Sequence, residues 1–369
     1  MYTEIVKIIE GGLAADREKV ASFAEVLANS LEKQGEIALT KKIRSILRNK
    51  RGVLASLDSF STRPVDTESR MDIVEISMPK VSSSQIVLSK YVAEEISRFV
   101  EFYESRDSLM RAGLEVSNSL LLYGPPGCGK TTLARYISTR TELPLVTARL
   151  DGLVSSLLGS TAKNIRKIFD YAEKRECILF LDEFDVLAKL RDDRNELGEL
   201  KRVVNSLIQN IDSLNSSSII VAATNHHELL DPAIWRRFSK VVLLEKPSKG
   251  AIGELIRVFL GGFQNTILDS VKQMNQLQTA LEGFSHSEIK TVINNTVRSA
   301  IVRGQDTITL CEALREIYFH KNHSIEDERE LISYLLLNNV THKEINESTG
   351  ISLRRIRAIS KNVLRRDVR

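Results

Sequence analysis

The chain has 369 residues, 42 % apolar and 27 % charged, with a formal net charge of +4. This is the make-up of a soluble globular protein with room for two or three domains, and so small a surplus leaves nucleic-acid affinity to a local patch, not the whole surface. Cys128, Cys177 and Cys311 have no paired or CxxC spacing, and there is no long apolar run or signal-peptide pattern; together these exclude a disulfide framework, a zinc site and a membrane span and lead us to expect a reduced, cytoplasmic protein.

Taken in chain order, residues 1–55 are predicted to form a helical domain. Val20, Phe23, Val26, Leu27 and Leu31 recur at helical spacing, and Gly11-Gly12 and Gly35 interrupt the pattern. The stretch Lys41 to Arg51 carries six cations and no anion, which suits a solvated helix face or a patch for nucleic acid or an acidic partner. Ser56 to Arg70 is polar and contains Pro64, so 56–75 is expected to be a linker. Over 76–249, strand-like runs (Leu120–Tyr123, Leu145–Ala148, Cys177–Leu181, Ser218–Ala223 and Val241–Leu244) alternate with helical patterns. That alternation predicts an α/β fold in which helices wrap a parallel sheet. From 250 to 323 the pattern is helical only, with Ile252, Leu255, Ile256 and Leu260, then Ile289, Val292, Ile293 and Val297. A small all-helical domain is therefore expected after the sheet.

The apolar run Leu120-Leu121-Leu122-Tyr123 leads directly into Gly124-Pro125-Pro126-Gly127-Cys128-Gly129-Lys130-Thr131, and Thr132 follows in a helical pattern. Glycines here let successive N–H groups point into one concavity at a helix N-terminus, where a triphosphate fits. Lys130 would reach the β/γ-phosphates and the Thr131 hydroxyl would hold Mg²⁺. A chance Gly/Pro turn is the plainer reading; a strand before the loop and a helix after it argue against that. ATP and Mg²⁺ are the expected ligands.

Ile178 to Asp182 reads as a buried strand that delivers Asp182 and Glu183 at its carboxyl end, where open α/β sheets place their ligand chemistry. Asp182 would hold the Mg²⁺ water shell and Glu183 would polarise an attacking water. Asp182 follows Lys130 by 52 residues, room for a helix, a strand and a second helix. Asn225 closes the next strand, either to orient the same water or as a helix cap. Asp231-Pro232 opens a short helix that ends in Arg236 and Arg237. The two arginines could cap that helix or neutralise the γ-phosphate of a neighbouring subunit's nucleotide.

In this order, these motifs make residues 85–320 resemble the AAA+ ATPases, in particular the protein-remodelling branch. The resemblance implies Walker A at Gly124–Thr131, Walker B at Asp182 and Glu183, sensor 1 at Asn225 and arginine fingers at Arg236 and Arg237. It further implies a homo-oligomeric ring, a hexamer, acting on a protein substrate or serving an associated protease. The segment 250–323 becomes a lid. Within it, Gly283 to Ile289 is similar to the family segment near adenine and ribose, with His286 in place of a small residue. Leu157 occupies the position of the pore-loop aromatic, and the arginine segment is shorter than the family's Arg-x-Gly-Arg-Phe form.

Residues 324–369 carry a separate pattern. Ser324 could cap a helix through Leu337, and Thr341-His342-Lys343-Glu344 is a capping box. Gly350 makes a turn, Ser352 caps the next helix, and Ile345, Ile351, Ile356 and Ile359 match a helix-turn-helix, with Asn346 where a small residue normally lets the helices touch. Seven cations lie between Ile351 and Arg369 against Asp367 alone. Residues 341–369 therefore suit DNA contact or a helical protein-docking module with a basic face.

Overall fold

A computed structural model describes residues 72–79, 86–114, 116, 118–149, 158–185, 197–214, 217–230, 232–322 and 328–366, with scattered positions between 5 and 66. Of the expected N-terminal domain only pieces are described, such as the helical stretch 26–31, where Ala28 and Leu31 are buried. The cationic run Lys41–Arg51, apart from Ile43, and the position Leu157 lie outside the described residues, as does most of the expected linker.

Six strands form one sheet: β1 Val74–Ser77, β2 Ser119–Tyr123, β3 Leu145–Arg149, β4 Ile178–Asp182, β5 Ile219–Thr224 and β6 Lys240–Leu243, in the order β1-β3-β4-β5-β2-β6. The five strands read from sequence are β2 to β6, and all pair in parallel. The edge strand β1 was not foreseen and pairs antiparallel with β3, with Val74 opposite Ala148. Of its four residues Val74 is buried, Glu75 exposed, and Ile76 and Ser77 half-buried, a pattern too short to stand out from the polar sequence before it.

The central strands are apolar on both faces because helices cover both. Leu121, Leu179, Leu181, Ile220 and Ala222 pack against Ile165, Ile168 and Leu207, from α4 (Leu158–Glu173) and α5 (Leu197–Ser213). Their neighbours Leu120, Leu122, Ile178, Phe180 and Val221 point the other way. They meet Ile96 and Phe99 of α1 (Lys90–Glu104), a helix followed by the short α2 (Arg106–Arg111), and Leu133 and Ile137 of α3 (Lys130–Thr141). This period-two division produces three layers. The short α6 (Pro232–Trp235) then carries the chain to β6.

After the sheet come α7 (Lys249–Leu260), α8 (Val271–Ala280), α9 (His286–Val302) and α10 (Leu310–Asn322), then α11 (Glu328–Leu337), α12 (His342–Thr349) and α13 (Leu353–Arg366). All seven share one core, in which Ile252, Leu277 and Ile293 join Ile345 and Ile356. Polar bonds reinforce the junction: Arg315 Nη1 donates to Ser348 O at 2.8 Å, and Gln276 Nε2 to Asn338 O at 3.2 Å. The helices after 324 are thus built onto the lid, although their sequence pattern reads as a separate unit. The Thr341–Glu344 capping box forms, Gly350 ends α12 with φ +73°, and Asn346 Nδ2 donates to Ile351 O at 2.7 Å. The residue that departs from the helix-turn-helix pattern fastens the turn.

Candidate nucleotide site

The β2–α3 loop is shaped as much by its neighbours as by any ligand. A Cβ on Gly124 would lie 2.2 Å from Leu244 O, and one on Gly127 2.6 Å from Ser285 Oγ; both have positive φ. The first glycine admits the end of β6 and the second admits the lid. Gly129 caps the N-terminus of α3. Lys130 is buried and donates to Gly124 O at 2.7 Å and to Pro125 O at 3.0 Å. Burial pulls its ammonium below the usual lysine range, opposed by nearby Cys128, Asp182 and Asp185. Cys128 is itself buried, which pushes its thiol up and makes it a neutral packing group.

Loop and strand ends converge on one cleft of about 960 Å³. From the loop it is lined by Pro126, Gly127, Cys128, Gly129, Lys130, Thr131 and Thr132, while Gly124 and Pro125 stand behind and meet Lys130 through their carbonyls. Asp182, Glu183 and Asn225 line it from β4 and β5, as the motif order predicts. Thr131 Oγ1 lies 3.4 Å from Asp182 Oδ2. A hydroxyl beside a carboxylate is an oxygen donor set that suits Mg²⁺, which takes one or two protein oxygens and completes its shell with phosphate and water. Among the described residues no cluster of three His, Cys, Asp or Glu could hold a metal by itself.

Glu183 sits at the exit of β4 with φ +54°, and its N–H donates to Asp182 Oδ1 at 3.0 Å. A left-handed glutamate costs about 1–2 kcal/mol, and the turn aims an exposed carboxylate into the cleft. Sequence reasoning missed Asp185. It is buried, and its Oδ1 accepts from Thr224 Oγ1 at 3.1 Å and from Asn225 N at 3.4 Å. It therefore ties the end of β5 to that of β4 and sets where Asn225 stands. An aspartate following the apolar Phe184, where a surface loop would be polar, was the available signal.

The lid closes the cleft from above. Ser287 N donates to Gly127 O at 3.0 Å, and Lys246 Nζ to Gly283 O at 2.6 Å. His286 lines the cleft, its pKa drawn down by burial against a hydrogen bond to the Val87 backbone, and its Nδ1 is buried without a hydrogen-bond partner among the described residues. A neutral ring therefore stands where the family pattern has a small residue.

Arg236 and Arg237 do not join this cleft. Both are exposed; Ser119 Oγ donates to Arg237 O at 3.1 Å, and Arg237 Nη1 pairs with Asp212 at 3.5 Å. Ser119 begins β2, so Arg237 lies at the amino end of the sheet. The five residues of β2, roughly 15 Å, separate it from the loop.

The family model described as "ATPase family associated with various cellular activities (AAA)" matches residues 120–246. Over 312 residues the chain is 36 % identical to an uncharacterized AAA family ATPase, y4kL, of Sinorhizobium fredii, an alignment covering 83 % of this chain and 91 % of that protein. This chain is a member of the AAA ATPase family. Membership makes it an ATPase that uses ATP with Mg²⁺. It is also 31 % identical over 237 residues to the ATP-dependent zinc metalloprotease FtsH 2 of Bdellovibrio bacteriovorus; that alignment spans 62 % of this chain but only 38 % of the metalloprotease. In fold it is similar to the crystal structure of the FIGL-1 AAA domain in complex with ADP, with TM-score 0.56 and 18 % identity over 74 % of this chain and 94 % of that one. Among the described residues no helix is long and apolar enough to cross a membrane.

Proposed function

We propose that this AAA ATPase is a motor subunit that hydrolyses Mg-ATP within a homo-oligomeric ring, a hexamer, and remodels or threads a protein partner. The separation of the Arg236–Arg237 pair from the cleft carries this reading. Two exposed arginines at the far end of the sheet cannot serve their own protomer's nucleotide, whereas packing protomers head to tail brings one subunit's amino edge to the next subunit's cleft. In this assignment Gly127 to Thr132 cradle the phosphates through backbone N–H groups, Gly124 to Pro126 shape the turn before them, and Lys130 exchanges its loop carbonyls for phosphate oxygens. Thr131 and Asp182 would hold the metal, which would supply positive charge to offset that of the phosphates. Glu183 takes up a proton from the attacking water, and Asn225, held by Asp185, orients that water. A protein substrate, or an associated protease, is supported by the similarity to the metalloprotease.

Mixing two inactive variants tests the shared site. Lys130→Ala keeps the arginines but loses phosphate binding, while Arg236→Ala with Arg237→Ala keeps the cleft but loses the fingers. ATPase activity should return when the two are combined, because mixed rings contain intact interfaces. If each variant stays inactive in the mixture, or if the double arginine variant hydrolyses ATP like the wild type, the site is not shared.

A further inference from the structure

The exposed face of α13 has no role in the ATPase site. Arg354, Arg357 and Lys361 recur at three- and four-residue intervals along it, with Ala358 between them, all exposed. The opposite face is spoken for: Ile356 is fully buried, and Ile351 and Ile359 pack against the lid core. Arg355 is occupied by Glu328 of α11, 3.0 Å away. The sequence from Leu353 to Arg366 contains no acidic residue. The three cations therefore form a single-sign stripe of about 10 Å, from seven residues at 1.5 Å rise, close to three base-pair steps.

Three features favour a nucleic acid over a protein as the occupant. Arginine anchors of a protein interface sit in packed, desolvated pockets among aromatic or large apolar side chains, and this stripe has only Ala358 between its exposed cations. The short α12, the tight turn at Gly350 and the longer α13 follow the element order and turn of a helix-turn-helix, in which the second helix is free along one side to enter a major groove. The module is also rigidly mounted: Arg315 clamps the end of α12, and Asn346 locks the turn. Exposed Ser352 and the N-terminus of α13 add donors where a phosphate would lie.

We propose that α13 is a duplex-DNA-binding helix whose Arg354, Arg357 and Lys361 contact the phosphates and base edges of a major groove. The proposal does not depend on ring assembly or on ATP hydrolysis.

Fluorescence anisotropy of the full chain with a labelled duplex of about three helical turns tests it. Binding should weaken steeply between roughly 50 and 200 mM salt, with a logarithmic slope near −3 for three phosphate contacts. The combined Arg354→Ala, Arg357→Ala and Lys361→Ala variant should lose at least about tenfold in affinity and flatten the slope while keeping its ATPase activity. Lys343→Ala, which removes an exposed cation paired with Glu347 on α12, should bind like the wild type. Unchanged binding by the triple variant would overturn the proposal. So would equal affinity for single-stranded DNA, or displacement of the duplex by polyglutamate at equal charge, since each shows that no groove is read.

Discussion

The carboxyl end of the sheet is crowded and mutually constrained. Lys130 is buried against its own loop, Asp182 stands beside Thr131, and Asp185 ties Asn225 into place. At the amino end, Arg236 and Arg237 are exposed, and the side chain of the latter pairs with the exposed Asp212. The first arrangement can bind a ligand by itself, because desolvation and fixed dipoles are already in place. The second has charge without enclosure, which stabilises a transferring phosphoryl group only when another surface excludes water around it. In the proposed ring the two ends are complementary halves: one protomer would supply the pocket and another the charge.

The sharpest way to break this comparison is at the amino end. Replacing Arg236 and Arg237 together with alanine should lower turnover by roughly a thousandfold or more while leaving ATP affinity per protomer close to wild type. Stopped-flow turnover and equilibrium nucleotide binding, measured on the same preparation, give the two numbers. A parallel loss of affinity would mean that the arginines act in their own protomer's cleft. At the carboxyl end, Glu183→Gln should slow hydrolysis by about 10²–10⁴-fold and retain nucleotide, the amide being unable to accept the water's proton. Turnover near the wild-type rate would remove Glu183 from that role.

A smaller effect is expected at Asp185. Alanine there leaves Thr224 and the Asn225 amide without their shared acceptor. A loss of about 1–3 kcal/mol in stability should follow, together with a fall in kcat larger than any rise in KM. Thermal unfolding and steady-state kinetics report the two separately. If kcat holds while stability drops, Asp185 supports the strand and Asn225 needs no positioning.

The two ends were unequally legible. Glycines, lysine and threonine around a phosphate, and acids at a strand exit, are residue types dictated by chemistry at fixed spacing, so Gly124–Thr131, Asp182 and Glu183 could be read directly. Asn225 could be read only through its order after them. Asp185 escaped because a buried structural carboxylate shares its letter with a solvated one, and only its partners tell them apart. Strand β1 escaped because antiparallel edge pairing asks little of four residues. That Arg237 lies a strand's length from the cleft, and that the helices after 324 share the lid's core, depend on topology, which no local pattern carries.

The mildest test lies where the lid meets the loop. Gly127→Ala would place a methyl 2.6 Å from Ser285 Oγ and 3.1 Å from Ser287 Cβ, at a φ of +74°. Backbone strain alone should cost about 1 kcal/mol, and the clash adds to it unless the lid withdraws. Withdrawal would lengthen the Ser287 N to Gly127 O bond, now 3.0 Å, and open the cleft beside His286. Nucleotide affinity should then fall several-fold. Adding Ser285→Ala separates the two causes, because it removes the clashing oxygen and leaves φ untouched. Partial recovery of affinity in the double variant, with a coupling of about 0.5 kcal/mol or more, would show that contact with the lid is what the loop senses. Strictly additive losses would assign the effect to the backbone of the loop and make the lid a bystander to binding.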